Sequence, residues 1–304
     1  MDALFAWFQG LGSEASPLQV HEVAPATAAG AAGAGAEGAA IKMIPALSDN
    51  YMYLIVNNAT KQAVAVDPVD SKKMLDCCTM LSVDLVAVLT THYHSDHSGG
   101  NAALAAALPS LEVVAGEKDA DRTPAVTRRV ADEERCHWAG LQFRCLATPC
   151  HTRGHISYLL EGQSPGLFCG DTLFVAGCGR FMEGTSATMK ASLSKFLTLP
   201  ETTRIFCGHE YTVGNLEYAL SLEPSNTLLK ERLQEACEKR RQQLPTIPST
   251  LAEELQQNPF LRAAQKGCSD EEMSQLRRGK DTFTTLGTVI TWVLDVKSFF
   301  KPDG

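Results

Sequence analysis

Residues 1–41 contain no Lys and no Arg, while they do carry Asp2, Glu14, Glu22 and Glu37. That is the reverse of the basic start of a signal peptide or the Arg-rich character of a transit peptide. A cytoplasmic location is therefore expected, with mitochondrion or plastid as the alternative. Long apolar runs are missing too: no stretch reaches the roughly 18 consecutive apolar residues of a spanning helix, and Leu286 to Val296, apolar and β-branched, is too short. The ten cysteines show no CxxC spacing, and adjacent Cys77 and Cys78 suit no regular disulfide framework. Cys145, Cys169 and Cys207 sit inside apolar runs, where cysteine behaves as a small buried hydrophobe. Reduced thiols are the expectation. Positive charge is in deficit, with 27 Lys+Arg against 35 Asp+Glu and a formal net charge of -8. Nonspecific binding to nucleic acid or to an anionic membrane is thereby disfavoured. No internal repeat is visible.

What is present suits a globular fold: 304 residues, 44% hydrophobic and 20% charged, enough to bury a real core. Ala26 to Ala40 is almost entirely alanine and glycine, which cannot specify packing, so residues 1–40 are expected to be a disordered extension. From Ile41 the pattern changes. Tyr51–Val56 and Ala63–Val66 read as strands around the polar turn 57–60, and residues 71–81 have helical character. Leu85–Leu89 is short and uniformly apolar, as in a strand buried on both faces. An alanine-rich helix at 101–108, strands at 111–115, 141–147, 156–160, 166–169 and 204–207, and a helix near 186–198 follow. This α/β (α+β) mixture predicts two mixed sheets with helices outside. Beyond about 213 helices take over: 226–243 is amphipathic and stops before Pro245. Thr250 to Glu253 and Ser269 to Glu272 have the capping-box form, in which hydroxyl and carboxylate satisfy orphan helix-end amides. The expected organisation is a catalytic domain at 41–213, a helical domain at 214–285 and a divergent tail at 286–304.

The chemistry is concentrated in Thr91-His92-Tyr93-His94-Ser95-Asp96-His97, with His151, Asp171 and His209 at long intervals behind it. The first four ligand candidates leave the end of the buried strand 85–89, and each later one follows another strand. Imidazole and carboxylate are natural ligands of zinc and similar ions. A lone histidine is more often a core or surface residue, and Asp171 alone reads as a turn. Three histidines and an aspartate within six residues are different, because packing does not require them and burying them unpaired is costly. Seven ligands are about what two adjacent ions need, with one carboxylate able to bridge. Such ions share a hydroxide at neutral pH, polarise a carbonyl and stabilise a tetrahedral intermediate. His155 reads as a supporting group or a strand start, His137 as structural or surface, and His21 falls in the extension. Cys150, next to His151, has nothing left to do as a nucleophile.

The His-x-His-x-Asp-His run with its distant partners resembles the metallo-β-lactamase superfamily, which implies an αββα sandwich. Longer matches resemble one family within it, glyoxalase II: Thr148 to His155, Gly170 to Phe181, Cys207 to Thr212, Pro248 to Glu254 and Asn258 to Arg262. The likeness runs from about 41 to 283 and so includes the appended α-helical domain. It implies hydrolysis of S-D-lactoylglutathione to D-lactate and glutathione by a metal-bridged hydroxide. It further implies one ion on His92, His94 and His151, a second on Asp96, His97 and His209, and Asp171 as the bridge. Asp96 and Asp171 would also orient the hydroxide. Zinc is the first expectation for the two ions, with iron or manganese as alternatives. Arg180, His209, Tyr211, Arg277 and Lys280 match positions that hold glutathione, although Arg277 to Lys280 read alone is a basic helix end. Arg180 stands where lysine is more usual and Met182 where many relatives carry tyrosine. The expected partner is a small glutathione thioester, with no nucleic acid and no membrane, and the expected state is a monomer. A mononuclear iron persulfide dioxygenase of the same superfamily is the alternative, though such relatives typically lack the helical domain.

Overall fold

In a computed structural model of the chain, residues 20–23 and 39–284 are described. The tail 286–304 and most of the extension expected at 1–40 lie outside them. Within that extension, however, His21–Val23 form strand β1, which pairs antiparallel with β2 (Ala39–Ala46) in the register His21↔Met43. The disorder expected there is corrected at these positions, because their backbone amides complete an otherwise open sheet edge.

Both faces of the first sheet are covered, and its central strands show why. Strand β3 (Asn50–Asn57) alternates Tyr51, Tyr53 and Ile55 into one apolar cluster with Met52, Leu54 and Val56 into another. Period-two alternation with every residue apolar buries both sides of a strand. Around it run β4 (Gln62–Val66), β5 (Asp84–Thr90), β6 (Glu112–Gly116) and β7 (Arg128–Val130), in the order β1 to β7. Helices α1 (Ser71–Leu81) and α3 (Asn101–Ala107) cover its outer face with Met74, Cys77, Cys78 and Leu104. Asp70 starts α1 by accepting from the Lys73 amide, satisfying one of its orphan donors.

The second sheet is ordered β15-β14-β11-β10-β9-β8. Its strands are β8 (Arg135–Trp138), β9 (Leu141–Ala147), β10 (Ile156–Leu160), β11 (Gly166–Gly170), β14 (Arg204–Cys207) and β15 (Ser249–Thr250). Between the sheets Phe168 and Phe206 stack at 4.9 Å, and the Tyr53 ring meets both edge-on at 5.2 and 5.5 Å. The two sheets join at one rim, where the Tyr51 amide donates to the Gly208 carbonyl at 2.9 Å and Asn50 bridges His209. This is the expected αββα sandwich, with α4 (Ser186–Phe196) outside the second sheet.

After β14 come α5 (Thr212–Leu222), α6 (Thr227–Arg241), α7 (Leu251–Gln257), α8 (Pro259–Gln265) and α9 (Asp270–Thr282). Both expected capping boxes are formed, at Thr250–Glu253 and Ser269–Glu272. Among the described residues no helix is long and apolar enough to cross a membrane. These helices dock through Asn258 onto the small hairpin of β12 (Leu173–Phe174) and β13 (Gly177–Cys178). The Asn258 amide nitrogen donates to the Phe174 and Gly177 carbonyls at 3.1 and 2.9 Å, while its oxygen accepts from the Phe260 and Leu261 amides at 3.1 and 3.2 Å. One buried side chain thus caps α8 and ties the helices beside the loop that follows Asp171. Asn258→Ala should lower unfolding free energy by about 2 kcal/mol or more, from the lost cap and the carbonyls left unpaired. Urea denaturation with unchanged m checks it.

Candidate metal centre and substrate cleft

Four strand ends supply the centre. Strand β5 ends at Thr90, and Asp67, just past β4, anchors the next residue by accepting from the Thr91 amide at 2.8 Å and hydroxyl at 2.7 Å. The chain then leaves the sheet and makes the single turn α2 (Ser95–Ser98), with His94 at its start. His151 follows β9, Asp171 directly follows β11 and His209 follows β14.

The structure brings all seven expected ligands together. Nε2 of His92 and of His151 lie 3.0 and 3.1 Å from Nδ1 of His94. Nε2 of His97 and of His209 are 3.2 Å apart, with Asp96 Oδ2 at 3.7 and 3.5 Å. Asp171 stands between the two groups. Its Oδ2 is 3.4 Å from His151 Nε2, and its Oδ1 is 3.4 and 3.5 Å from Nε2 of His97 and His209. One carboxylate therefore shows one oxygen to each half.

The outward-facing nitrogens decide what the inward ones can do. His97 Nδ1 lies 2.9 Å from Asp67 Oδ2, His209 Nδ1 2.8 Å from Asp49 Oδ1, and His151 Nδ1 3.2 Å from the Arg180 carbonyl. All three partners are acceptors, so Nδ1 carries the proton in each ring. The Thr91 hydroxyl gives its hydrogen to Asp67, so its oxygen accepts from His92 Nδ1 at 3.0 Å. In the neutral rings, the form that binds metal, the inward Nε2 atoms are left with lone pairs. Lone pairs facing one another at 3.0–3.2 Å repel, and a proton on His94 Nδ1 could satisfy only one of its two neighbours. Asp171 Oδ1 is buried with no hydrogen-bond partner, a costly condition without a cation. The donor set fits divalent ions in two groups, His92/His94/His151 and Asp96/His97/His209.

The field around the groups agrees. Burial, reinforced by His97 and His155, pushes His92 well below the usual imidazole range, so it is a neutral donor. Burial opposes ionisation of Asp171, yet His97, His209 and His151 outweigh it and hold the carboxyl well below its usual value. Burial likewise works against a charged His97 ring, but Asp171 and Asp67 raise it to about 9. With no cation present that negative field draws a second proton onto His97, at Nε2, and a bound metal ion would take that proton's place.

Beside the centre lies a cleft of about 840 Å³, of a size that takes a small-molecule ligand. Arg180, His209, Tyr211, Arg277 and Lys280 all line it, together with Met182. The Tyr211 ring stacks on His209 at 4.7 Å and 3°. Arg277 is buried and already held: it donates to the Cys178 carbonyl at 2.7 Å and to Asp281 at 2.9 Å. Lys280 donates to the Gly214 carbonyl at 2.5 Å, and burial, with Arg277 nearby, lowers its pKa to about 8. Arg180 is the exposed cation at the mouth. Cys150 is buried and its thiol is pushed up to about 12, so it offers no thiolate at neutral pH.

The profile described as "Metallo-beta-lactamase superfamily" matches residues 82–209, and "Hydroxyacylglutathione hydrolase C-terminus" matches 210–283. A protein of Arabidopsis thaliana named "Hydroxyacylglutathione hydrolase cytoplasmic" is 43% identical over 251 residues, 78% of this chain and 96% of that protein. "Hydroxyacylglutathione hydrolase" of Synechocystis sp. is 46% identical over 226 residues, 73% of this chain and 88% of that protein. The chain belongs to the hydroxyacylglutathione hydrolase family. Among solved structures, ETHE1 from Myxococcus xanthus is 28% identical with a TM-score of 0.59, over 81% of this chain and 92% of that one.

For a member of the hydroxyacylglutathione hydrolase family the site is a binuclear metal site, and several of its supports were not legible in the sequence. Asp49 and Asp67 fix the tautomers of His209 and His97, and the Asn50 amide donates to Asp96 Oδ2 at 3.3 Å. His155 has a definite place: its ring stacks on His92 at 5.0 Å and its Nε2 accepts from the Asp171 amide at 3.2 Å. His137 is exposed and remote. The only available signal was negative, a polar Asp67-Pro68 closing an apolar strand. Asp67→Ala should weaken Zn²⁺ binding by about 10–100-fold, read by competition with a chromophoric chelator.

Proposed function

We propose that the protein hydrolyses S-D-lactoylglutathione, and related 2-hydroxyacyl-glutathione thioesters, to glutathione and D-lactate. The reading is carried by one juxtaposition: Asp171 shared between two donor groups, at the base of a cleft walled by Arg180, Arg277 and Lys280. The relatives' names point to the same substrate class. In this reading His92, His94 and His151 hold one ion, Asp96, His97 and His209 hold the other, and Asp171 joins them. Zinc suits five imidazoles and two carboxylates, ahead of iron or manganese. When bound, the pair of ions supplies a nucleophile at neutral pH and a Lewis acid for the thioester carbonyl.

The chain's own residues do the rest. Lys280, Arg277 and Arg180 neutralise the carboxylates of glutathione in a protein whose net charge is otherwise unfavourable to an acidic ligand. Tyr211, held flat on His209, gives the substrate's stem an apolar wall next to the reacting end. Asp96 is the part-exposed carboxylate of the centre and faces the cleft, so it orients the attacking water, while buried Asp171 keeps the two halves in register. Residues 214–285 act as the glutathione-binding domain on a catalytic domain at 41–213. The protein is taken as a cytoplasmic monomer that engages neither nucleic acid nor membrane. A mononuclear dioxygenase needs one ion, and two donor groups sharing Asp171 favour the hydrolase.

Loss of the thioester absorbance should be fast with metal-replete protein and vanish with chelator. Asp171→Ala should remove bound metal and turnover together, and a variant that keeps both would falsify the assignment. Lys280 gives a pH test. It is cationic below its pKa of about 8 and neutral above it, so affinity for a non-hydrolysable S-alkylglutathione thioether should be full at pH 7. It should fall roughly tenfold by pH 9, the worth of one charge-assisted hydrogen bond. Lys280→Arg should remove that pH dependence.

A further inference from the structure

His92, His94 and His151 come from two loops that are not paired as strands, and a residue outside the donor set grips both. Glu183 lies between Arg180 and α4. Its Oε1 accepts from the Tyr93 hydroxyl at 2.8 Å and from Arg122 at 2.6 Å. Its Oε2 accepts from the Arg153 amide at 2.8 Å, and its own amide donates to the Cys150 carbonyl at 3.0 Å. Tyr93 is the residue between His92 and His94, while Cys150 and Arg153 bracket His151. One residue therefore holds the chain on both sides of His151 and at the midpoint between the other two ligands.

The fit leaves little slack. The Arg122 guanidinium lies 3.4 Å from the centre of the Tyr93 ring, closing the network from the loop after β6. A Cβ placed on Gly184 would come within 2.7 Å of the Cys150 Cα, so the loop lies flush against the His151 segment. The other half of the centre is held differently, by Asp67 on His97 and Asp49 on His209. Among the described contacts of Glu183 none reaches that half.

We propose that Glu183 is a positioning residue for one half of the metal centre, setting the His92/His94/His151 geometry while the Asp96/His97/His209 half stands without it. This rests on the two-metal reading above. A carboxylate that accepts a cationic donor and two further donors at 2.6–2.8 Å is firmly held, so it passes rigidity to the chain it binds. Its removal should loosen the loop without unfolding it, because Asp119 holds the same segment independently. That buried carboxylate accepts from the Thr152 hydroxyl at 2.5 Å and the Gly154 amide at 2.9 Å.

The test uses full-length protein titrated with Zn²⁺ against a chromophoric chelator, comparing wild type with Glu183→Gln and Tyr93→Phe. Wild type should take two ions. Glu183→Gln should take one with wild-type affinity and the other about 10–100-fold more weakly, the usual effect of losing a supporting group. At limiting Zn²⁺ its kcat should fall with KM unchanged, and excess Zn²⁺ should restore kcat, which general structural damage would not allow. Tyr93→Phe should show a smaller shift of the same kind, and it carries the test if Glu183→Gln does not fold. Two ions bound as in wild type, or both weakened equally, would overturn the proposal. A wild-type chain binding fewer than two ions would take the two-metal reading down with it, and is told apart by that stoichiometry.

Discussion

Imidazole nitrogens that face one another at hydrogen-bond distance, among buried carboxylates that call for positive charge, are the constraint around which this molecule is organised. His97 and His209 stand 3.2 Å apart with their protons turned outward to Asp67 and Asp49. With both rings neutral that arrangement is unfavourable, and a cation among the inward nitrogens, a metal ion in place of a proton, makes it favourable. The buried carboxylates around the rings, the unpartnered Asp171 oxygen and the depressed basicity of His92 serve the same end. The sheets are joined at the same rim, through Tyr51 to Gly208 and Asn50 to His209, so the electrostatic requirement and the architecture meet at one place.

The cleft applies the opposite electrostatic logic a short distance away. The centre is negative and asks for metal, while its wall is positive and asks for an acidic ligand. A chain of net charge -8 can do both because the cations are few and placed. Arg277 is fixed by the Cys178 carbonyl and Asp281, and Lys280 by the Gly214 carbonyl. Their positions depend on the helices, which are docked by Asn258 and by Glu254, whose carboxylate accepts from the Ala176 amide at 2.8 Å.

Much of this was legible in the sequence where a local pattern carried it. Strand β3, strand β5 and helix α1 follow from alternation, apolar run and capping signal, and α1 spans the expected 71–81. The seven donors were legible because clustered histidines have no bland explanation. Strands β7 and β8 were not, since Arg128–Val130 and Arg135–Trp138 are only three and four residues long and carry three arginines between them, and pairing across the sheet overrides their weak propensity. Strand β2 was missed for a similar reason, as Ala39 and Ala40 continue the alanine–glycine run. The supports of the centre were invisible for a different reason. Asp49, Asp67, Asp119 and Glu183 act on residues 24 to 160 positions away, and an isolated acid carries no mark of the donor it will meet.

Each half of the centre takes donors from both sheets: His92 and His94 with His151, and Asp96 and His97 with His209. Among the described residues the helical domain contributes Arg277 and Lys280 to the cleft but no donor to the ions. The reaction is thus written on the catalytic domain alone, while recognition is shared between Arg180, Met182 and Tyr211 on that domain and Arg277 and Lys280 on the helices. The sandwich seam cannot drift without disarming the chemistry, whereas the wall is free to be recut. A lineage could keep one hydrolytic engine and change its cargo by altering Met182 and Arg180 in the loop before α4 and the face of α9, which makes the rim of the cleft the place where diversity among related enzymes would accumulate.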